Sequence, residues 1–570
     1  MNLANRELAR CLVLLPAIGL LTLGTNPAQA QSNNRQIGTP HTITADPLVP
    51  RPHSKPCVVA LFTDFQFANF SDAVQSFQFT PPANCPGPWQ EIVFEINFSE
   101  NAGQQYDRST IVSIGDTNFY FGTTPEPDPN VADTWHIERD VTDYSARLGS
   151  PQSGAIVLFN CTAECPPRDG VFTVSADLQF YPAYGQSPLA RRPDVVLPLG
   201  LGNLSSSTDH LATTFTPPQN IEEAYLDVIA QSQSTDEQWF ACFPDDLSSI
   251  DETYACGHTA FRETEITVDS QPAGIAPVSP WIYTGFLPGQ WRPIPGVQTL
   301  DFVPYRVNLT PFAGLLNDGN PHTVAVSVFN ANSFFTVTAS LLLYLDGKSP
   351  RVTGALTQNT LTSPVPFATE DIQGTSRVTG TFEVTSDRNF TITGYVNTSH
   401  GNVTTSISQR QNFASHQAID FDTAHFTVLD QKTSLHTSVA SSTTVTGDYG
   451  TTVTREKFSF PMTVDLSYPL KDLSSATTTT TQRYQLSKLV SRNGVVCDYT
   501  SLSNSVRATN VSPAPSSQQY TVIEGVWGGN LNREERADRL EPQDSKHLSY
   551  SCEIASRNNV LTFVSPRCGR

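Results

Sequence analysis

Ala260-Phe261-Arg262-Glu263-Thr264-Glu265-Ile266-Thr267-Val268-Asp269 is the run whose reading decides the fold. A period of two puts Phe261, Glu263 and Glu265 on one face of a strand and Arg262 on the other. The same texture continues to Asp346. Pro280-Trp281-Ile282-Tyr283-Thr284-Gly285, Gln290-Trp291-Arg292-Pro293-Ile294 and Asn308-Leu309-Thr310-Pro311-Phe312 are broken by Pro and Gly. His322-Thr323-Val324-Ala325-Val326-Ser327-Val328 and Leu342-Leu343-Tyr344-Leu345 close the stretch as strands. The aromatic residues admit two readings. Exposed indoles beside a few fixed polar groups hold a sugar; buried ones are sandwich core.

Moving outward, composition supports the same class. The 570 residues allow two to four domains, and only 15% are charged, with 42 Pro and 33 Gly. That is a composition for β-sandwiches with many turns, and no long segment repeats at helical spacing. The formal charge of −20 excludes a polyanionic partner such as nucleic acid. It also suits work in an acidic medium.

Residues 1–30 read as a signal peptide. Arg6 and Arg10 give the positive start, Cys11 to Leu23 the apolar stretch, and Ala28-Gln29-Ala30 the cleavage site. The apolar run is too short to span a membrane, so no membrane association is expected. An exported chain, secreted or periplasmic, permits disulfides. Cys11 leaves with the leader and nine cysteines remain. The local pairs Cys57–Cys85, Cys161–Cys165 and Cys242–Cys256 suggest themselves, leaving Cys497, Cys552 and Cys568 with one thiol free. No cysteine–histidine metal spacing is present, and no metal site is expected.

Along the chain, residues 31–55 form a polar, Pro-rich arm over the surface. Residues 56–188 alternate as strands, as in Ile92-Val93-Phe94-Glu95-Ile96-Asn97-Phe98, interrupted by the loop Pro125-Glu126-Pro127-Asp128-Pro129. Linker-like residues from Pro182 to about Asn203 lead into a second strand-rich domain, residues 195–348. The two domains echo each other in rhythm, which predicts two antiparallel jelly rolls side by side. From residue 350 to 570 Thr and Ser dominate. The period of two persists in Gly380-Thr381-Phe382-Glu383-Val384-Thr385, so this is a third β-rich region and not a stalk. The fold class expected is therefore all-β. Asn-x-Ser/Thr sequons recur, as at Asn97, Asn160 and Asn308, and matter only if the source cell glycosylates exported chains.

Three constellations carry candidate chemistry. In Gln105-Tyr106-Asp107-Arg108-Ser109, a carboxylate precedes a cation at the lip of a strand. The cation keeps Asp107 ionised, able to take a proton from water, although an ordinary ion pair reads the same way. Asp236-Glu237-Gln238-Trp239 sets two carboxylates and an indole in a loop near Cys242, as in sugar sites or a merely solvated loop. Glu263 and Glu265 share a face with Phe261, so that face is expected to open to solvent or a cleft. His258 and His322 stand alone, and lone histidines are more often structural than catalytic. No Gly-x-Ser-x-Gly elbow, P-loop or Cys-His dyad occurs.

These residues carry a resemblance. Phe261-Arg262-Glu263, Tyr283-Thr284-Gly285, Trp291-Arg292-Pro293-Ile294, Thr310-Pro311-Phe312 and Asp318-Gly319-Asn320-Pro321-His322 follow in the order of the glycoamidases typified by peptide-N-glycosidase A. Asp236-Glu237-Gln238-Trp239 and Glu138-Arg139-Asp140-Val141-Thr142-Asp143-Tyr144 match further segments of that family. The likeness runs from about residue 40 to 350. More distantly, Tyr106-Asp107-Arg108 and Asp140-Val141-Thr142-Asp143-Tyr144 resemble, in order and spacing, a catalytic strand start and a following segment of the bacterial F-type enzymes.

The resemblance implies hydrolysis of the amide between the innermost N-acetylglucosamine of an N-glycan and asparagine. It needs no cofactor, and its partners are N-glycopeptides or glycoproteins, handled by a monomer. Asp107 becomes the catalytic carboxylate. The register departs at two further glutamates of the bacterial enzyme, which fall on His258 and near Asn160 or Cys161. Glu237 or Glu263 is then expected to supply the second carboxylate. Substrate contacts are implied for Arg108, Asp236, Trp239, His258, Arg262, Trp281, Tyr283, Trp291 and Arg292, with the indoles and Tyr283 stacking on sugar faces. The alternative reading is a non-catalytic glycan-binding protein on the same scaffold.

Overall fold

The computed structural model describes residues 38–52, 54–183, 190–248, 256–286, 290–423, 427–467, 476–511, 514–528 and 547–568. The expected leader, residues 1–30, and the first residues of the arm lie outside them. Strands account for most of the chain, paired antiparallel throughout.

The first eight are β1 (Cys57–Phe67), β2 (Val74–Phe79), β3 (Trp89–Glu100), β4 (Ser109–Ile114), β5 (Thr117–Thr123), β6 (Asp133–Asp140), β7 (Gln152–Leu158) and β8 (Phe172–Pro182). They make two four-stranded sheets, β1-β8-β3-β6 and β2-β7-β4-β5. Ile92, Phe94, Ile96 and Phe98 of β3, at every second position, join Val112 and Ile114 of β4 and Ile156 of β7 in one buried cluster between the sheets.

The next eight are β9 (Val195–Leu204), β10 (Leu211–Phe215), β11 (Ile221–Gln233), β12 (Glu263–Val268), β13 (Gln271–Pro277), β14 (Tyr305–Asn308), β15 (His322–Phe329) and β16 (Phe334–Leu345). They form sheets β10-β15-β12-β13 and β14-β11-β16-β9. The segment read as a linker up to Asn203 is in part β9, an edge strand paired with β16 over Leu204↔Phe335 to Val195↔Leu343. Its apolar residues Val196 and Leu199 are buried, and that burial overrides its Pro and Gly content. The two sandwiches touch through Tyr144, whose hydroxyl donates to Asp227 (3.0 Å), and through Arg306, which bonds Asp227 and Asp143 (2.7 Å each).

From Thr353 to Val564 a single 11-stranded sheet follows. In its strand Arg377–Thr398, Val378, Phe382, Val384, Phe390, Ile392 and Val396 are buried on one face together with Ser386 and Arg388, while the odd-numbered residues between them face outward. This apolar face joins the core of the second sandwich. Polar side chains of the sheet reach across to that sandwich's backbone. Gln482 donates to Pro280 O (2.8 Å), Gln417 to Cys242 O (3.2 Å), and Gln518 to Ile294 O.

The arm is not a loose surface segment. Residues 42–45 are buried, and Ile43 N donates to Pro293 O at 2.9 Å. Tyr520 donates to Asp46 at 2.8 Å, and Arg51 pairs with Glu138 at 2.7 Å. The disulfides are Cys57–Cys85, Cys161–Cys165, Cys242–Cys256 and Cys552–Cys568. These four bridges hold eight of the nine cysteines counted above, and the three expected local pairs are among them. Among the described residues no helix is long and apolar enough to cross a membrane.

Candidate active site

Asp107 stands in the loop between β3 and β4. That loop is held from below: Gln105 Nε2 donates to Asn160 Oδ1 (3.1 Å) and Gly170 O (2.9 Å). Arg108 N donates to Thr124 Oγ1, and Thr124 N returns a bond to Arg108 O, each at 2.9 Å. The Asp107 N–H itself donates to Glu126 Oε1 at 3.2 Å. Glu126 lies between Pro125 and Pro127, whose rings fix the backbone on either side. Arg292 steadies it, with Nε donating to the Glu126 carbonyl and Nη2 3.9 Å from its Oε2.

The second sandwich closes the site. Thr284 Oγ1 donates to Thr124 O (3.1 Å), tying the Tyr283-Thr284-Gly285 turn to the first. Tyr283 donates to Ser232 O (2.9 Å) at the end of β11. A β-carbon built on Gly285 would lie 2.3 Å from Asp107 Oδ1, so only glycine lets the backbone come this close. Glu237 follows the short 3-10 turn Ser234–Asp236 and accepts from Gln238 Nε2 at 3.1 Å.

Three carboxylates thus share one field. Burial raises Asp107 above the usual carboxylate range, opposed by a backbone hydrogen bond from Gly285 and by the Arg108 charge. Burial and then the Asp107 charge push Glu126 up to about 7. Burial, Asp107 and Glu126 do the same to Glu237, also to about 7. Near neutral pH the three do not all ionise together, so proton acceptor and proton donor coexist in one site. Tyr106 marks the rim, 40% exposed, with the Arg168 guanidinium 3.8 Å from its ring centre and that of Arg108 at 5.7 Å.

Other expected residues lie elsewhere. The Glu263 face, expected to be open, is covered by the C-terminal sheet. Glu263 is fully buried, paired with Arg388 and accepting from Gln411 Nε2 at 2.7 Å. A buried carboxylate bonded on both oxygens has no place for a substrate. Arg262 and Asp236 form a buried ion pair (2.9 Å), and Asp236 also accepts from Asn332 N and Ser333 N. The pair braces the loop before Glu237 and is out of reach of a sugar. Trp239, Trp281, Tyr283 and Trp291 are all 3% exposed or less. Trp281 stacks on Phe302 with ring centres 4.1 Å apart, and Trp239 packs against Phe240 and Phe413. They are core, and rings buried this far do not stack on a substrate as expected. His258 sits in a left-handed turn (φ 58°), its N–H bonded to Asp245 Oδ1 (2.7 Å). Arg108 and Arg292 remain at the cluster.

Glu126 and Arg168 carry no role in the sequence reading, where Tyr106 stands only as the neighbour of Asp107. The Pro-bracketed Glu126 carried the one available signal: an acidic residue held rigid on both sides in an otherwise turn-like loop.

A family model described as peptide N-acetyl-beta-D-glucosaminyl asparaginase amidase A matches residues 47–362. Peptide-N4-(N-acetyl-beta-glucosaminyl)asparagine amidase A of Prunus dulcis is 28% identical over 413 residues, 68% of this chain and 71% of that protein. Among solved structures, PNGF-II is similar with a TM-score of 0.35 at 13% identity, over 51% of this chain and 65% of that one. PNGase F, a glycosylasparaginase from Flavobacterium meningosepticum, follows with a TM-score of 0.33 at 14% identity, over 51% of this chain and 96% of its own. The structural likenesses are loose, and it is the family match, over more than half of the sequence, that decides. The chain belongs to the peptide N-acetyl-beta-D-glucosaminyl asparaginase amidase A family of peptide-N-glycosidases, amidases of the glycan–asparagine linkage.

Proposed function

We propose that the protein is a secreted glycoamidase that cleaves the amide between the innermost N-acetylglucosamine of an N-glycan and its asparagine. The products are an aspartate-containing peptide and a glycosylamine. The observation that carries this reading is the meeting of Asp107, Glu126 and Glu237, from two sandwiches, in a chain of this amidase family. The four disulfides support an oxidising compartment.

In this reading Asp107 is the base. It takes a proton from water as the water oxygen adds to the side-chain carbonyl. Arg108, the next residue, faces the negative charge that develops on the carbonyl oxygen. Glu237, protonated near neutral pH, gives its proton to the amide nitrogen, and the carbon–nitrogen bond breaks. Glu126 holds the Asp107 backbone, and Arg292 holds Glu126. Tyr106 at the rim offers an exposed ring to a sugar.

Incubation with an N-glycopeptide in heavy-oxygen water tests this. The expected product is a peptide that has lost its glycan and carries one heavy oxygen in a new aspartate. Binding of the glycopeptide without that product would instead fit a glycan-binding protein.

A further inference from the structure

We propose that Glu222, Asp346 and His400 bind a divalent metal ion, of the zinc or manganese class, that clips the C-terminal sheet to the second sandwich. One ligand atom from each residue lies within 4.8 Å of the other two. The three come from separate parts of the fold. Glu222 opens β11, Asp346 follows the end of β16, and His400 stands in the turn between Arg377–Thr398 and Gly401–Asp422 of the C-terminal sheet.

The geometry leaves ligand positions open. Glu222 is 7% exposed, and its Oε1 is taken by Arg191. Its Oε2 is buried without a hydrogen-bond partner and points at His400 Nε2, 3.6 Å away. The other ring nitrogen, Nδ1, is likewise buried and unpartnered. Asp346 accepts from Ser399 Oγ (2.7 Å) and Lys348 N (3.0 Å) at Oδ1 and from Ser399 N (2.6 Å) at Oδ2. Such bonds orient a carboxylate while leaving it lone pairs. Arg191 is shared between Glu222 and Glu223, and Asp346 adds a further carboxylate, so negative charge remains to meet a cation.

An imidazole with two carboxylates suits zinc or manganese, whereas calcium and magnesium favour oxygen alone. Three protein ligands leave a fourth position for water. The other such cluster among the described residues, Glu95, His136 and Glu138, differs. Arg51 lies against both glutamates there, and each His136 nitrogen is already bonded. The sequence spacing hides the trio, since its members lie far apart along the chain.

The test is calorimetric titration of the EDTA-treated full chain with zinc, manganese and calcium chlorides, each paired with a thermal melt. We expect one equivalent of zinc or manganese to bind and to raise the melting temperature. His400→Ala, at a hairpin tip, and Glu222→Gln should lose both effects while melting cooperatively in EDTA. Ser399→Ala should bind roughly 10- to 100-fold more weakly, as a partner that orients a ligand. No binding of zinc or manganese, binding of calcium alone, or unchanged binding in His400→Ala would each overturn the proposal.

Discussion

Gly285 of the second sandwich is pressed against Asp107 of the first, with no room for a β-carbon between its backbone and Asp107 Oδ1. The position of the carboxylate therefore depends on how the two sandwiches are seated. Gly285→Ala should displace Asp107 without touching either core. We expect kcat to fall by about 100-fold, the scale of a misplacement near 1 Å, with the melting temperature little changed. Steady-state kinetics on a glycopeptide check this, and an alanine variant of near-normal kcat would free Asp107 from the turn.

Activity should decline on the alkaline side. Glu237 is held at about 7 by burial and by the neighbouring Asp107 charge. As the acid, it must be protonated, so kcat/KM falls as pH rises through that value. Loss of the Asp107 proton sets the acid limb. A profile of kcat/KM still rising at pH 9 would remove Glu237 from the acid role.

Stability should follow a related course. Glu100 is pushed up to about 8 by burial and then by Asp133 and Glu126, while Glu126 and Glu237 stand near 7. In the unfolded chain such groups titrate near 4.5. Between those values the folded state binds more protons, so stability drops as pH rises through the interval and is level above it. Glu138 acts at the other end. Burial would raise it, but bonds from His136 and Arg51 hold it at about 2, so its contribution is lost as pH falls from 4.5 toward 2. Thermal melts across pH should peak near 4 to 5 and lie several degrees lower at pH 8 (the reverse order would contradict these assignments).

The alternation of Ile92 to Phe98 and of the residues around Glu263 announced an all-β chain, because a period of two survives any later packing. Asp107 and Arg108 were legible as neighbours in sequence. Glu126 was not, since its bond to the Asp107 N–H exists only once two loops meet. Glu263 and Arg262 misled for the same reason. Their partners Arg388 and Asp236 are supplied by distant segments, and nothing local distinguishes a buried paired charge from one in a cleft. The indoles were ambiguous from the start, and packing resolved them as core.

Arg388 and Glu263 give a stability test. Arg388→Ala leaves the Glu263 carboxylate buried without its partner. A loss of about 3–5 kcal/mol in denaturant unfolding is expected, as for breaking other buried pairs. Glu263→Gln should also destabilise while leaving kcat/KM near normal in the fraction that remains folded. A stable but inactive Glu263→Gln would return Glu263 to the chemistry.

The central claim is that Asp107 takes the proton from water. Asp107→Asn keeps the shape and hydrogen-bonding pattern but removes the charge and the acceptor. The direct measurement is the single-turnover rate of glycan release from a saturating glycopeptide, with affinity recorded on the same samples. The rate should fall by about 10²- to 10⁴-fold with binding and melting temperature retained. A variant that releases glycan at near-normal rate would place the base elsewhere and contradict the account.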